Sequence, residues 1–436
     1  MINLTKKNIK IFYESLDNSS PINLIKNRIY YDNSNLYINN KKINIIKKKC
    51  FYIISFGKAS QKMFLGINEV LGKKKLIDDY LVISHQKLKT NKIDKSKFYL
   101  STHPLASNLS YKSALRLLAF IRKIPTNSNV IMLISGGGSS MLAHPIDGLQ
   151  FKKKSDFINL LINQGIGERE VNYFRKILSS IKSGKLIKHF IKSKIFNIIW
   201  SDERTNKIDA ISSGITVPQN NYKINSKLLK IVFNKSFCTP LLKNVILKHN
   251  HLVKKNLFGN KVSNYIIADR IALVNELIKN LHNNRFNDIK YGNHIYEETY
   301  LEALDKIKIS ISKFYDAQLS GYNALILTGE IPVKANKNTK GGRNQHLAAS
   351  LIDFLKDFKN FSLCCFATDG CDYIKGIHGA YIDDSIIQLI NDKKIDYTKY
   401  LINTSTYFLH KKMNSFLKGD YTGNNFSDFY VFIYKV

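Results

Sequence analysis

Arginine is scarce in this chain, although the chain is strongly basic. Its 436 residues carry 67 Lys and Arg against 33 Asp and Glu, a formal net charge of +34, yet only nine of these cations are arginine. The lysines are spread along the whole sequence, whereas a nucleic-acid-binding domain more often gathers arginine and aromatic residues on one element. We therefore interpret most lysines as solvated surface and expect no nucleic-acid partner. The positive field would still attract anionic substrates.

Cysteine is also rare, and long apolar runs are missing. The five cysteines form no CxxC pair and no zinc-type spacing with histidine, so reduced thiols in a cytoplasmic protein are the simplest interpretation. The longest apolar runs, such as 130–134, are about five residues, far short of the roughly 20 needed to span a bilayer. The N-terminal segment lacks a sustained apolar stretch, so we expect neither a signal peptide nor a membrane partner.

Length and periodicity predict two α/β domains. A chain of 436 residues is too long for one ordinary core. Short apolar runs that end at glycine or acidic residues alternate with segments of helical spacing, which indicates a doubly wound parallel sheet. The predicted strands of the first domain are 50–56, 80–84, 130–135 and 196–201.

A polar stretch rich in lysine and asparagine, at 220–262, is interpreted as the passage into the second domain. Strands predicted at 324–328 and 363–367 repeat the α/β pattern there. We therefore predict an N-terminal domain at 1–245 and a C-terminal domain at 246–436.

A glycine-rich loop follows the predicted strand 130–135 and opens a helix. Its residues are Ser135, Gly136, Gly137, Gly138, Ser139 and Ser140. The glycines leave backbone N–H groups uncovered, and the helix N-terminus adds partial positive charge, so a phosphate or a carboxylate would fit there. The loop is not a Walker A loop, because no Gly-Lys-Ser/Thr closes it. An ordinary tight turn between strand and helix is the alternative.

Charged residues stand at the ends of other predicted strands. Lys58 follows the strand 50–56 and could bind an anionic substrate as a point charge, although one lysine among so many more often belongs to the surface. Asp202, Glu203 and Asp369 also follow predicted strands, where carboxylates can hold Mg²⁺ or accept a proton from a hydroxyl. Capping of a turn is the alternative for each carboxylate. Ligand sites of parallel sheets lie beyond these strand ends.

Residues 168–182 are predicted to form one helix with two adjacent stripes. The apolar stripe comprises Val171, Phe174, Leu178 and Ile181. The polar stripe beside it comprises Asn172, Arg175, Ser179 and Lys182. This pattern indicates a helix that lines a ligand site, with a solvated flank as the alternative.

Arg343 is one of the few arginines and stands among small and amide residues. The surrounding segment is Gly341-Gly342-Arg343-Asn344-Gln345. Its glycines would let a ligand approach the backbone, and a planar guanidinium can stabilise the charge that spreads over a transferring phosphoryl group. A glycine-rich surface loop with an incidental arginine is the alternative.

These segments, in this order along nearly the whole chain, resemble the class II glycerate kinases, whose C-terminal part is the MOFRL domain. The matching stretches are 56–59, 133–140, 171–172, 175–179, 181–186, 201–203, 210–217, 327–330, 341–345, 367–370 and 422–428. The resemblance implies a Rossmann-like N-terminal domain, a smaller α/β domain of MOFRL type, and an interdomain cleft between them.

The resemblance also implies an activity. A glycerate kinase uses ATP and Mg²⁺ to phosphorylate a hydroxyl of D-glycerate, usually the 2-hydroxyl. By this resemblance Lys58, Arg343 and Asp202 are catalytic, and Asp202 and Asp369 are the candidate metal ligands. The implied substrate- and phosphate-binding residues are Ser135, Gly136, Gly137, Gly138, Ser139, Ser140, Asn172, Arg175, Lys182, Glu330, Gly341, Gly342 and Asn344. The expected partners are a small hydroxy acid and a nucleotide, and a homodimer is one of the open oligomeric states.

Departures from the family pattern keep other functions open. Ile215 stands where the family has proline, His346 where it has glutamate, and Tyr373 where it has glycine; one glycine instead of two precedes Glu330, and Ile331-Pro332-Val333 replaces a threonine-rich segment. The alternatives are a diverged relative that binds anions or nucleic acid, and a hydroxypyruvate reductase. The reductase is disfavoured because no GxGxxG is followed by an acidic residue at the required distance.

Overall fold

The computed structural model describes residues 4–201, 206–217, 226–235, 238–249, 260–295, 299–334, 340–424 and 426–436. The chain separates into two compact units, which are residues 21–269 and residues 1–20 together with 270–436. We call them the N-terminal unit and the C-terminal unit. The domain limits 1–245 and 246–436 stay predictions.

The bounds of the regular elements follow in chain order. The strands are β1 (Ile29–Asp32), β2 (Asn35–Ile38), β3 (Lys41–Ile43), β4 (Phe51–Phe56), β5 (Ile77–Ser84), β6 (Phe98–Leu100), β7 (Asn129–Ser135), β8 (Lys194–Trp200), β9 (Lys261–Ala268), β10 (Phe286–Ile295), β11 (Tyr322–Gly329), β12 (Phe361–Ala367), β13 (Cys371–Asp372), β14 (Ile374–Lys375), β15 (Ile377–Asp383), β16 (Phe416–Lys418) and β17 (Asp428–Lys435). The helices are α1 (Leu4–Asn18), α2 (Pro21–Arg28), α3 (Ser60–Val70), α4 (Asn108–Lys123), α5 (Gly138–Met141), α6 (Phe151–Asn163), α7 (Glu168–Ile177), α8 (Ser226–Phe233), α9 (Pro240–His249), α10 (Arg270–Asn283), α11 (Tyr300–Tyr315), α12 (Arg343–Ser350), α13 (Ile352–Leu355), α14 (Asp384–Asp392), α15 (Thr398–Ile402) and α16 (Thr406–Met413).

The N-terminal unit is built on a parallel sheet of six strands in the order β6-β5-β4-β7-β8-β9. Every residue of β7 is buried, as expected for a strand covered on both faces. The strands predicted from the short apolar runs are confirmed as β4, β5, β7 and β8. The sequence pattern did not reveal β6 or β9, which form the two edges of this sheet.

Helices cover the sheet with their apolar faces. Leu117 and Ile121 of α4 share one buried core with Ile54 of β4, Leu81 of β5 and Met132 of β7. Helix α3 also contacts β4 and β5. The helices that connect the parallel strands therefore bury their own apolar faces and the face of the sheet that they cover. The predicted α/β class is confirmed.

The strand order of this sheet reverses between β4 and β7. From β4 the chain adds β5 and β6 on one side, then returns to the centre and adds β7, β8 and β9 on the other side. In open α/β sheets such a reversal leaves a crevice at the carboxyl ends of the two central strands, which is the usual place for a ligand. The loops that follow β4 and β7 lie there.

The C-terminal unit contains a mixed six-stranded sheet in the order β10-β11-β17-β12-β15-β16. Strands β10 and β11 are parallel, and the remaining neighbours are antiparallel. Helix α1 belongs to this unit because it packs on β12, β17 and α10. Its Phe12 ring stacks on Phe366 with the ring centroids 3.7 Å apart. The prediction of a second α/β domain is thus confirmed.

The helix predicted at 168–182 is shorter than its periodicity indicated. Helix α7 ends at Ile177. Beyond it the backbone bonds to the segment 144–146 instead of continuing the helix: the Ile146 N–H donates to the Leu178 carbonyl, and the Ser180 N–H donates to the His144 carbonyl. The prediction was wrong for 178–182, because a tertiary partner took the backbone groups that a longer helix would use.

Among the residues described above, no helix combines the length and the apolar character that crossing a bilayer requires.

Candidate active site

The loops after β4 and β7 are joined directly. The Lys58 N–H donates to the Gly136 carbonyl at 2.8 Å, and the Ala59 N–H donates to Ser135 Oγ at 3.0 Å. Gly57 has φ 113°, and a Cβ there would lie 2.3 Å from Ser135 Oγ. Only glycine satisfies both the backbone conformation and this close approach. The sequence prediction that Lys58 and the glycine-rich loop occupy neighbouring strand ends therefore agrees with their positions.

Lys58 and His103 approach the glycine-rich loop at Gly137. A Cβ on Gly137 would lie 3.1 Å from His103 Nδ1 and 3.2 Å from Lys58 Cγ. His103 Nδ1 is 2.9 Å from Ser140 Oγ. The sequence analysis missed His103, since a histidine between β6 and α4 carries no spacing signal that connects it to the loop.

Burial and the nearby lysine keep two histidines of this region neutral. The rings of His85 and His103 lie edge to face with centroids 5.8 Å apart. Burial, and secondarily Lys58, lowers the pKa of His103 to about 3 and that of His85 to about 4. At neutral pH both imidazoles are uncharged and add no positive charge to that of Lys58.

A chain of hydroxyl and amide groups fixes the far side of the loop. Ser139 Oγ is 2.7 Å from Ser213 Oγ, and Ser213 Oγ donates to Asn172 Oδ1 at 2.7 Å. Ser212 Oγ donates to the Ser135 carbonyl at 2.9 Å. The predicted site residue Asn172 thus reaches the loop through the hydroxyl of Ser213, a residue that the sequence analysis did not select.

Three cations gather beside the loop in what we call the cation pocket, formed by Lys154, Arg175 and Lys182 together with Ser139 and Ser140. Lys154 and Lys182 are buried, with 4% and 2% of their surface exposed. Lys182 Nζ donates to the Ser139 carbonyl, and Lys154 Nζ donates to the His144 carbonyl at 3.4 Å. The structure therefore brings the predicted residues Arg175 and Lys182 to the glycine-rich loop and adds Lys154.

Burial in the cation pocket disfavours the charged state of the lysines. Burial, and after it the charges of Lys185 and Arg175, lowers the pKa of Lys154 to about 7. Burial is the main reason why the pKa of Lys182 lies well below its ordinary value, and the charges of Lys154 and Arg175 act in the same direction. The sequence analysis missed Lys154 because it is the third of three consecutive lysines, and only its position on α6 separates it from its exposed neighbours.

Arg343 is the first residue of α12 in the C-terminal unit and is held by two carboxylates. Its Nε and Nη2 donate to the two oxygens of Asp428, with an Nη2–Oδ1 distance of 3.1 Å. Its Nη1 lies 3.6 Å from Glu330 Oε2. The charge of Asp428 raises the pKa of Arg343 further, so the guanidinium is permanently charged. Asp428, the first residue of β17, was not a predicted site residue.

The N-terminus of α12 is occupied by a buried carboxylate. Asp372 accepts from the backbone N–H groups of Asn344 and Gln345 at 3.0 and 2.9 Å, and also from their side-chain amides. Gly342 has no side chain to obstruct this contact, since a Cβ there would lie 2.1 Å from Asp372 Cγ. The segment from Gly341 to Asn344 is thus fixed by the protein's own anion, which orients Arg343.

Carboxylates at one edge of the mixed sheet could accept a divalent cation. Glu330 follows β11 and Asp369 follows β12, and both are partly exposed. Asp428 pairs with the last residues of these same two strands. No group of three or more His, Cys, Asp or Glu suited to a metal occurs in the described part of the chain. In proteins that bind phosphates, Mg²⁺ is commonly held by only one or two protein carboxylates. The predicted residue Asp202 lies outside the described residues.

Comparisons with known proteins identify the relatives of this chain. The model of the domain of unknown function DUF4147 matches residues 8–245, and the MOFRL family model matches residues 323–428. The chain is 26% identical to the glycerate 2-kinase of Picrophilus torridus, over 98% of this chain and 96% of that protein. It is 29% identical to the D-glycerate 2-kinase of Thermotoga maritima, over 86% and 88%.

A solved structure has the same fold. The crystal structure of glycerate kinase from Thermotoga maritima superposes with a TM-score of 0.82 at 26% identity, covering 99% of both chains. Family models, full-length relatives and fold thus agree with the resemblance that the motifs indicated. The chain belongs to the family that joins a DUF4147 domain to a MOFRL domain, the family of the class II glycerate kinases.

Proposed function

We propose that this protein is an ATP-dependent kinase that transfers the γ-phosphoryl group of ATP to a hydroxyl of D-glycerate. The 2-hydroxyl is the acceptor that we propose. The full-length similarity to proteins named glycerate 2-kinase supports the reaction. The observation that carries the proposal is the convergence of Lys58, the glycine-rich loop and the cation pocket at the strand-order reversal of the parallel sheet. Such a site has what an anionic acceptor and a transferring phosphoryl group require.

The N-terminal unit supplies anion binding. Gly137 lies beside Lys58, and we propose that backbone N–H groups of this turn bind the anion together with the point charge of Lys58. Charge-assisted hydrogen bonds of this kind are roughly twice as strong as neutral ones. His103 holds the loop at Ser140 from one side, and Asn172 holds it through Ser213 from the other, so the loop is pre-organised for the ligand.

The C-terminal unit supplies Arg343 and the carboxylates. We propose that Arg343 stabilises the charge that develops on the transferring phosphoryl group, a role in which arginine contributes several orders of magnitude in rate. Asp369 and Glu330 are the residues described here that would hold Mg²⁺, with Asp202 as a further candidate. A bound Mg²⁺ would supply neutralisation of the phosphate charge.

The test is a turnover assay on the purified full chain with ATP, Mg²⁺ and D-glycerate. We expect ADP release that depends on D-glycerate, and a phosphorus NMR spectrum of the product that identifies the phosphorylated hydroxyl. A parallel mixture of hydroxypyruvate and NADH should show no oxidation. Absence of ADP release with D-glycerate and with a panel of small hydroxy acids would reject the kinase assignment, and NADH oxidation would replace it by a reductase.

Two further properties are proposed. A cytoplasmic location is supported by the five cysteines, all of which are unpaired, as expected in a reducing compartment. A homodimer is the first oligomeric state to test, by light scattering on the purified chain.

A further inference from the structure

We propose that His103 Nε2 accepts the hydrogen bond of the hydroxyl that receives the phosphoryl group, and so directs the oxygen of that hydroxyl at the γ-phosphorus. This role rests on the proposed kinase function. It adds a residue that contacts the acceptor substrate and that the sequence motifs did not include.

His103 lies at the glycine-rich loop, where the acceptor substrate would bind. The Nδ1–Cε1 edge of its ring faces Gly137, because a Cβ on that glycine would lie 3.1 Å from Nδ1 and 3.2 Å from Cε1. The stem of Lys58 reaches the same glycine, with Cγ 3.2 Å from the same point. Nε2 is the other neighbour of Cε1 in the ring, so it lies one bond away from this contact.

The contacts of Ser140 decide which nitrogen of the ring carries the proton. Ser140 Oγ donates to the Gly137 carbonyl at 3.0 Å, and a hydroxyl has only one proton to donate. The same Oγ lies 2.9 Å from His103 Nδ1, so Nδ1 is the donor of that second hydrogen bond. A neutral imidazole has one N–H, and with the proton on Nδ1 its Nε2 is a hydrogen-bond acceptor.

The ring is neutral and its Nε2 is open to a ligand. Burial is the main cause that lowers the pKa of His103 to about 3, and the charge of Lys58 is the next. A second proton therefore does not occupy Nε2 at neutral pH. In the described part of the chain Nε2 makes no hydrogen bond, and it is not a buried atom. A substrate hydroxyl can therefore take this position.

An acceptor complements the donors beside the glycine-rich loop. Lys58 and Arg175 carry only donors, which suit the phosphate and carboxylate oxygens of the two substrates. A hydroxyl that attacks phosphorus has a proton to give away, and a positioned acceptor holds its oxygen in line with the bond that breaks. His103 Nε2 meets this need without adding charge to the site.

In the transfer step the hydroxyl oxygen forms a bond to the γ-phosphorus, while the bond from that phosphorus to the bridging oxygen of ADP breaks. ADP leaves with the electron pair of that bond. The hydroxyl proton moves along the hydrogen bond to Nε2 and then to solvent, because burial and Lys58 disfavour a charged imidazole. Since the transferring group is bonded only loosely to both oxygens, Nε2 contributes mainly by orienting the hydroxyl.

Two amide variants separate the roles of the two ring nitrogens. His103→Asn places an amide NH2 at the position of Nδ1, so it keeps the bond to Ser140 and removes the acceptor at the position of Nε2. His103→Gln is one carbon longer, so its amide oxygen reaches the position of Nε2 while the bond to Ser140 is lost. We expect His103→Asn to lower kcat with D-glycerate by roughly 10²-fold or more, and His103→Gln to be about tenfold more active than His103→Asn.

The matched control is His282→Asn, which makes the same exchange at an exposed position of α10. This variant should keep the kcat and KM of the wild type, and the Tm of each variant shows whether it is folded. If His103→Asn retains the wild-type kcat, or if His103→Gln is no more active than His103→Asn, then Nε2 has no role in the reaction and His103 only tethers the loop.

Binding without ATP separates this role from the kinase assignment. 3-Hydroxypropanoate lacks the 2-hydroxyl, so wild type should bind D-glycerate roughly 3- to 10-fold more tightly than this analogue, as expected for one hydrogen bond. The difference, measured by titration calorimetry, should vanish in His103→Asn. If this pattern appears but the chain releases no ADP, the hydrogen bond stands and the kinase function fails. If ADP is released and the difference persists in His103→Asn, the role of Nε2 is refuted and the kinase function stands.

If His103→Asn does not fold, nitrogen NMR of the wild type with isotopically labelled histidine replaces it. One imidazole with its proton on Nδ1 should shift the signal of its unprotonated nitrogen when D-glycerate is added, but not when 3-hydroxypropanoate is added. The absence of such a response would overturn the proposal.

Discussion

Arg343 and Asp428 form a two-point ion pair between the start of α12 and the start of β17. Nε and Nη2 of the arginine face the two oxygens of the carboxylate, and the aspartate side chain is 2% exposed whereas that of the arginine is 40% exposed. Burial raises the pKa of Asp428 and the guanidinium opposes that rise. The pair fixes the plane of the guanidinium and leaves its Nη1 side available toward Glu330.

If Arg343 stabilises the transition state, Arg343→Ala should lower kcat by roughly 10³-fold, because a charge-stabilising donor acts mainly on the transition state. Arg343→Lys should restore only a small part, since an ammonium cannot pair with Asp428 at two points. Steady-state kinetics of both variants test this role of Arg343, and the Tm of each variant shows whether it is folded. An unchanged kcat in Arg343→Ala removes the residue from the mechanism.

Asp428 should affect kcat only by holding Arg343 in position. Asp428→Asn breaks the buried pair, and we expect a loss of roughly 2–4 kcal/mol in the free energy of unfolding together with a fall in kcat. In the Arg343→Ala background the same substitution should no longer lower kcat. Urea unfolding and kinetics of the two single variants and the double variant measure this, and a kcat loss that persists without Arg343 would contradict a positioning role.

Lys58 and Arg343 should be energetically coupled if they act on the same phosphoryl group. Lys58→Ala and Arg343→Ala would then lower kcat by less in combination than the product of their separate effects. Substitutions that act independently multiply their rate effects, to within about 0.5 kcal/mol. A double-mutant cycle on kcat measures the coupling, with Lys153→Ala as the control partner for Arg343→Ala. Strict multiplicativity of Lys58→Ala and Arg343→Ala would indicate separate roles.

The cation pocket should lower stability in a pH-dependent way when no ligand is present. The pKa of Lys154 is about 7 in the folded chain, against an ordinary value of 10.5 for lysine. Between these values the unfolded chain holds a proton that the folded chain lacks, so stability rises with pH, and below pH 7 the full penalty applies. Lys154→Met should therefore raise the free energy of unfolding by roughly 2–4 kcal/mol at pH 6. This increase should shrink toward pH 10.

Urea unfolding of wild type, Lys154→Met and Lys153→Met at pH 6, 8 and 9.5 tests the sign. The exposed Lys153 should give no gain at any of the three pH values. A gain in Lys154→Met that grows with pH, or a loss at pH 6, would show that Lys154 is compensated within the folded chain.

A side chain at Gly137 should displace His103 and Lys58 by a small amount. Gly137→Ala places a Cβ against His103 and Lys58 at a φ of 81°, so we expect a loss of kcat/KM in addition to roughly 1–2 kcal/mol of backbone strain. Gly148 has φ 79° with no atom within 4 Å of an added Cβ, so Gly148→Ala carries the backbone strain without the tight side-chain contacts. Equal kcat/KM values in the two variants would contradict the convergence of Lys58 and His103 at this glycine.

Much of the N-terminal site could be predicted from local patterns. Runs such as 51–56 and 129–135 are long enough to be buried strands, and the glycines that follow them mark the turns where Lys58 and the glycine-rich loop lie. The position of Arg343 beside two glycines was likewise visible in the sequence. These features depend on neighbours within a few residues, so the chain order itself carries them.

Other parts of the site depended on partners that are distant in the sequence. Lys154 is indistinguishable from Lys153 until α6 packs against the segment 144–146 and the loop of Ser139. Asp428 and Asp372 join α12 only after β17 and β13 take their places in the C-terminal unit. The end of α7 at Ile177 is another case, since helical periodicity continued beyond it.

The amino-acid order by itself determined the alternation of buried strands with helices, the positions of the glycine turns and membership of the family, because each follows from side chains close together along the chain. Only the tertiary structure decided which lysines lose water, that His103 reaches Gly137, and which carboxylate holds Arg343. The physical reason is that burial and electrostatic pairing depend on what packs from the opposite side, and that partner lies from 10 to 85 residues away along the chain.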